Sequence, residues 1–312
     1  MRLLCALLAG GALAAPLAGL QMSPARAADA FNLAELKPGV YVHAGRQLAL
    51  DAPGHDDIAN IGFIVGTRCV AVIDTGGSVR IGRSLRAAIA GRTALPVCYV
   101  INTHVHVDHV LGNAAFTSDG PSFVGHARLA DAMRRSAQFF MAQYADDFDA
   151  PPTPQQLISP DRRVERETVL DLGHRRILLR AWPTAHSDCD LTVFDEQTGT
   201  LWTGDLLVRE RLPAVDGSVS GWLAAIDDLA ALRVKLAIPG HGPATGRLAA
   251  ALIPERDYLQ TLVTGVRAEL SQGEPMQHAM AHVASPAKSG WLLWEGVHER
   301  NVARVYQELE WQ

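Results

Sequence analysis

The sequence predicts an α/β sandwich in which two β-sheets face each other and helices cover both outer faces. Three observations predict it. Short apolar, β-branched runs bounded by turn residues recur in both halves of the chain. A segment of helical periodicity joins two such runs in the first half, which makes them parallel neighbours, and the second half repeats the theme. His and Asp residues stand at the C-terminal ends of strands from both halves, where loops of an α/β sandwich gather a site.

The chain has 312 residues. Residues 1–27 read as a secretory signal peptide: Arg2 is the positive n-region, Leu3–Leu20 the apolar h-region, and Ala25-Arg-Ala27 a small-x-small cleavage site. The apolar run is close to membrane-spanning length, so an uncleaved anchor is the alternative. Pro16 and several glycines interrupt it, which favours cleavage, and Cys5 lies too early for a lipoprotein anchor. Residues 28–312 then form a single domain with a full core. The formal net charge is −5 and becomes more negative when Arg2 and Arg26 leave with the signal. No basic stripe is interleaved with aromatics, which argues against nucleic acid and leaves a small-molecule substrate as the expected partner.

Strands are expected at Val40–Ala44, Ile61–Gly66, Cys69–Ile73 and Val97–Ile101, with a polar loop at Asp51–Asn60 after the first. Val79–Ala90 carries Ile81, Leu85, Ala88 and Ile89 at helical spacing and links two of these strands in parallel. Cys69 and Cys98 then lie level. Parallel neighbours seldom present the Cβ geometry of a bridge, so free buried thiols are expected and a disulfide is the alternative.

A short strand at Phe123–Gly125 precedes a helix at Ala127–Tyr144 that ends Phe139-Phe-Met-Ala-Gln-Tyr144. The Asp- and Pro-rich segment Asp146–Pro160 reads as irregular. This insertion is expected to pack against the sheet; the alternative is that part of it forms a substrate lid. The second half repeats the theme with strands at Arg176–Trp182, Leu191–Asp195, Thr200–Thr203 and Lys235–Pro239 and a helix at Gly221–Leu232. From Arg247 the chain is mostly helical and ends in a helix at Val297–Leu309.

The chemistry is concentrated in Ile101-Asn-Thr-His-Val-His-Val-Asp-His109, directly after an apolar strand. Three imidazoles and a carboxylate so close together are costly to bury unpaired, and they are ligand types for zinc or iron. In an extended chain His104 and His106 project to one side, and a tightening turn then brings Asp108 and His109 to a neighbouring position. His186 follows the strand ending at Trp182, Asp205 ends the strand Leu201–Asp205, and His241 lies in Gly240-His-Gly242 after another short strand. The set allows His104, His106 and His186 on one metal and Asp108, His109 and His241 on a second, bridged by Asp205. Asp74, before a Gly-Gly turn, is a candidate to orient a ligand imidazole.

His43, His126, His174 and His298 are read as structural. His55 sits in a polar turn that could overhang the site. His278 and His282 have a ligand-like spacing without a third ligand and are expected in solvent.

These motifs resemble the metallo-β-lactamase-fold hydrolases: His-x-His-x-Asp-His, a later His, a bridging Asp and a final Gly-His-Gly. Ala181-Trp-Pro-Thr-Ala-His186, Asp190-Leu-Thr-Val193, Gly204-Asp-Leu-Leu207 and Glu308-Leu-Glu-Trp311 are similar to a periplasmic branch, the quinoprotein relay system zinc metallohydrolases. The resemblance covers residues 30–312. It implies a four-layer αββα sandwich, a periplasmic location and a functional link to a periplasmic quinoprotein dehydrogenase. The branch often has Asn where this chain has Cys189, to which no role is assigned.

Two Zn2+ ions would share a bridging hydroxide, since zinc lowers the pKa of bound water from 15.7 to about 7. Asp108 is the candidate catalytic residue, as ligand and as proton acceptor and donor. No Gly-x-Ser-x-Gly nucleophile motif occurs. Dinuclear hydrolases resembling glyoxalase II carry an Asp at the place of Asp205 and true metallo-β-lactamases generally do not, so the expected reaction is cleavage of a thioester, ester or related acyl bond. The alternatives are a mononuclear Fe2+ persulfide dioxygenase of the same fold, β-lactam hydrolysis, or a metal-binding accessory protein. Arg209 and Arg211 are candidates for an acidic substrate group or for solvent.

Overall fold

The structure is a computed structural model that describes residues 31–283 and 285–311; the expected signal segment, 1–27, lies outside them. The first sheet contains β1 (Leu33–Lys37), β2 (Val40–His43), β3 (Ile61–Val65), β4 (Val70–Ile73), β5 (Val97–Ile101), β6 (Ser122–His126) and β7 (Arg162–Val164), paired in that order. The second runs β12 (Leu236–His241), β11 (Thr200–Val208), β10 (Leu191–Asp195), β9 (Arg176–Ala181) and β8 (Glu167–Asp171). The helices are α1 (Val79–Ala90), α2 (Val107–Val110), α3 (Leu129–Gln143), α4 (Val219–Ala230), α5 (Leu248–Ser271), α6 (Met276–His282) and α7 (His298–Leu309).

The period of two along β4 explains the layering. Ala71 and Ile73 face inward with Ile64, Ile101 and Val124, against Ile177, Leu179, Leu191, Val193 and Ile238 of the second sheet. Val70 and Val72 face the other way, onto Ile81, Leu85 and Ile89 of α1. On the far side Leu201 and Leu206 pack under Trp222 and Leu229 of α4, Leu259 of α5 and Val305 of α7. Helix, sheet, sheet and helices make the four layers of an αββα sandwich. Helix α1 begins where Ser78 accepts the Ile81 N–H at 3.1 Å, an N-cap that satisfies an otherwise orphaned donor.

One expectation is corrected. Cys69 and Cys98 are bridged, with Cα atoms 5.7 Å apart. The β4–β5 ladder is parallel, yet its register shifts between Val70, opposite Val97, and Ala71, opposite Tyr99. Cys98 is the residue left over by that shift, so the regular parallel geometry that disfavours a bridge does not apply. The insertion meets the first sheet at β6, where Leu129 of α3 and Pro160 lie over Gly125, and Met133 and Phe140 of α3, with Phe148, also cluster with Val107, Val110 and Leu111 in and after α2. It braces the loop that carries the histidines.

Among the described residues no helix is long and apolar enough to cross a membrane.

Candidate metal centre

The seven expected residues converge at one edge of the sandwich. His104 and His106 lie just past β5, and α2 is the turn that brings Asp108 and His109 round. His186 sits on the β9–β10 loop, Asp205 lies within β11, and His241 closes β12. Two groups of ligand atoms result: His104, His106, His186 and Asp205, and Asp108, His109 and His241, the atoms of each within 4.8 Å of one another. All but His106 are buried.

Asp205 touches both groups. Its Oδ2 lies 3.5 Å from His186 Nε2, 3.8 Å from His104 Nε2 and 3.3 Å from His241 Nε2, while its Oδ1 is 3.4 Å from His109 Nε2. Asp108 Oδ2 stands 3.3 Å from His241 Nε2 and 3.5 Å from His109 Nε2. The sequence places Asp205 at a strand end, but the strand runs on to Val208 with its register to β12 broken on both sides of Gly204. Gly204 has φ 52°. This break turns the Asp205 carboxylate out of the sheet. Gly240 makes room for it, since a Cβ there would collide with Asp205 Oδ1.

The nitrogens facing away from the site are fixed. His109 Nδ1 lies 2.8 Å from Asp74 Oδ2, as expected for Asp74, which also accepts from the Thr103 N–H and hydroxyl. Asp74 holds φ 52°, a strained conformation for a residue other than glycine. His186 Nδ1 lies 2.9 Å from the Ala214 carbonyl and His241 Nδ1 2.8 Å from that of Ile58. His106 is set by Asp216, whose Oδ2 is 2.9 Å from Nε2, leaving Nδ1 to face His186 Nε2 at 3.0 Å.

Sequence reasoning missed Asp216. Its one signal is an Asp-Gly turn just ahead of Ser218, the N-cap of α4.

The donor set fits a metal. Nε2 of His104, Nε2 of His109 and Oδ1 of Asp205 are buried without a hydrogen-bond partner, an arrangement that is costly unless a cation takes the lone pairs. Burial pushes His104 well below the ordinary imidazole range and lowers His186 to about 4, so both are neutral and able to ligate. Burial alone would raise the Asp108 carboxyl, but His109 and His241 outweigh it and hold it well below the usual range.

Other expected residues fall as follows. Cys189 is buried with Val107 and Val110 and joins neither group; burial, reinforced by Asp190, pushes its thiol up, so it is inert. His55 does reach the insertion, with Nε2 2.8 Å from Asp147 Oδ2 and its ring 5.7 Å from that of Tyr144. His278 and His282 lie at the surface as expected, His278 half-exposed with its Nδ1 2.6 Å from Glu269 Oε2 and His282 exposed. Arg209 is half-buried with Nη1 on the Pro243 carbonyl, and Arg211 is buried.

The sequence model of the metallo-beta-lactamase superfamily matches residues 55–241, more than half of the chain and all seven ligand candidates. The chain belongs to the metallo-β-lactamase superfamily. No curated protein matches it. Solved structures share its fold. The stereoselective inverting sec-alkylsulfatase Pisa1 from a Pseudomonas species is 18% identical with a TM-score of 0.66, the match covering 89% of this chain and 50% of that one. This chain thus spans about half the length of that enzyme. A metallo-beta-lactamase family protein from Thermus thermophilus is 18% identical with a TM-score of 0.62, covering 89% of this chain and 94% of that one. A metallo-beta-lactamase from Pontibacter korlensis is also 18% identical, with a TM-score of 0.59 and coverage of 73% and 98%. Identities this low speak for the superfamily fold and not for a substrate.

Proposed function

We propose that this superfamily member is an exported, dinuclear zinc hydrolase that cleaves a thioester, ester or related acyl bond and works beside a periplasmic quinoprotein dehydrogenase. The observation that carries the reading is the position of Asp205, within 3.3–3.8 Å of histidines from both ligand groups. A carboxylate so placed is suited to hold two cations together. His104, His106 and His186 would hold one and Asp108, His109 and His241 the other. When bound, such a pair supplies Lewis acidity and lowers the pKa of water to about 7.

The remaining work falls to the chain. Asp74 and Asp216 keep two of the imidazoles in the ligating tautomer and orientation. Asp108, whose Oδ2 lies between His109 and His241 at the second ligand group, would be the residue placed to accept a proton at its carboxylate and return it to a leaving group. The apolar brace of α3 and Phe148 behind α2 keeps bulk water away from the histidine loop. The Cys69–Cys98 bridge supports an oxidising compartment, in agreement with the export signal read at residues 1–27.

Elemental mass spectrometry of exported protein prepared without added metal tests the reading. About two zinc ions per chain, an N-terminus at Ala28 and turnover of thioesters or lactones are the expected results. About one iron per chain, with oxygen uptake on persulfides, would overturn it in favour of a dioxygenase.

A further inference from the structure

The corner between α5 and α6 brings together two imidazoles and two carboxylates, none of them part of the metal centre. Helix α5 ends at Ser271, and Gly273 just beyond it takes φ 74°, the left-handed conformation that glycine adopts most readily. The Glu274 N–H then bonds back to the Glu269 carbonyl at 3.0 Å, and α6 starts after Pro275. This turn sets Glu269 opposite His278, with Oε2 2.6 Å from His278 Nδ1. Glu274 Oε2 is 3.8 Å from the same nitrogen. His282 stands one turn on from His278, and the two rings stack with centroids 4.0 Å apart and planes 23° from parallel.

Both imidazoles have the same nitrogen committed. His278 Nδ1 faces the Glu269 carboxylate, and His282 Nδ1 faces the His278 carbonyl at 2.8 Å. A carboxylate and a carbonyl only accept, so each Nδ1 carries a proton. The lone pair of a neutral ring is then on Nε2, and neither Nε2 has a hydrogen-bond partner among the described residues. Two imidazolium rings stacked this closely would repel, which favours at least one neutral ring. The carboxylates add negative charge that no lysine or arginine answers. Among the described residues His278 is the one basic group within ion-pair distance of either. Glu269 is also shielded, with 15% of its side chain exposed against 41% for His278. A carboxylate behind Nδ1 and an open Nε2 in front is how a protein presents an imidazole to a metal. An ion pair alone explains the Glu269 contact but not the second ring, stacked beside the first with its tautomer fixed the same way.

We propose that His278 and His282 form a further metal site, distinct from the seven-residue centre, for a divalent transition cation of the nickel or copper class. Imidazole nitrogens suit these ions, and water completes the coordination that two side chains leave open. Glu269 is the positioning residue that holds the His278 tautomer, and Glu274 adds charge without having to ligate. The cation joins successive turns of α6, which His278 already ties to α5 through Glu269. Its ligands and its test are independent of the zinc chemistry proposed above.

Nickel chloride is the probe, titrated calorimetrically into the protein as isolated and into its H278A, H282A and E269A variants. Each variant is checked by circular dichroism and by elemental mass spectrometry, and both are expected to match the wild type because none of the three residues belongs to the seven-residue centre. The expected result is about one nickel ion per chain whose affinity falls roughly tenfold or more in H278A and in H282A, and roughly tenfold in E269A. E269Q keeps an acceptor for Nδ1 and is expected to recover part of that loss. Nickel that binds the wild type and both histidine variants alike, or no nickel binding to the wild type, would overturn the site. A loss in H278A with none in H282A would overturn it as well, since a single imidazole then does the binding. If E269A loses helix content, E269Q decides the positioning role by the same titration.

Discussion

The positions of two residues, Asp216 and Gly240, carry much of what this site can do. Asp216 reaches His106 across the mouth and holds its Nε2 at 2.9 Å, so that Nδ1 is the nitrogen offered to a cation. Replacing Asp216 with Ala frees the ring to rotate, and zinc affinity measured by chelator competition is expected to fall roughly 10–100-fold. Asp216→Asn keeps an acceptor and should lose less. Gly240 acts by what it lacks. A methyl group there displaces the Asp205 carboxylate, so G240A is expected to bind less than two zinc ions per chain with little change in its far-ultraviolet circular dichroism. Retention of both ions in G240A would show that Asp205 does not need its present position. At this scale the sequence is highly legible, because the seven ligand candidates are rare residue types in a dense pattern. The residues behind them are less so. The carbonyls of Ala214 and Ile58 fix two histidines, and a backbone group leaves no mark in a sequence. Asp216 reads as an ordinary turn residue until the fold brings it to His106.

Elements were legible where the period is strong and their neighbours local. Val79–Ala90 is predicted and observed with the same bounds, since an N-cap and an apolar stripe both mark it. The edge strands β1, β7 and β8 are not legible. Leu33–Lys37 and Glu167–Asp171 are largely exposed, so no apolar face gives them a period. Strand β11 is legible only in part, because Gly204-Asp205 looks like a turn whereas the chain breaks register and continues. Side chains from the helix layer catch its free peptide groups. Glu255 of α5 accepts the Val208 N–H at 3.0 Å, and Trp222 of α4 donates to the Leu206 carbonyl at 3.4 Å. Burial raises the Glu255 carboxyl well above its usual value. The folded state then keeps a proton that the unfolded chain releases near pH 4.5. Stability from this group is full below that value and declines as pH rises towards the folded pKa. In metal-free Glu255→Gln, which keeps the acceptor for Val208, that decline should vanish. Urea midpoints between pH 4 and 8 will show it as a slope shallower by up to about 1.4 kcal/mol per pH unit. A slope equal to that of the wild type would mean that Glu255 is charged in the folded protein.

For the whole molecule, one covalent cross-link stands out, and the proposed metal would add an ionic one. The Cys69–Cys98 bridge closes a loop of sequence separation 29. On loop entropy alone the C69A/C98A double variant is expected to lose about 3–4 kcal/mol of unfolding free energy, read from denaturant melts. A loss near zero would mean that the unfolded chain already holds β4 and β5 together. The proposed metal centre would be the second cross-link. Stripping it with a chelator should lower the thermal midpoint by several degrees in scanning fluorimetry, with full recovery on adding zinc, because a ligand that binds only the folded state stabilises it. No shift would count against a resident metal.

The division of the ligands between the sheets has a kinetic meaning. His104, His106, Asp108 and His109 come from the first sheet, and His186, Asp205 and His241 from the second. Neither half of the chain owns a complete coordination sphere. A partly folded chain therefore offers a cation only a weak, incomplete grip, and tight capture has to wait until the two sheets have docked. Metal uptake would then be a timestamp on the last event of folding: stopped-flow binding to refolding protein should lag the burial of the tryptophans, whereas addition to folded apoprotein should show no such delay.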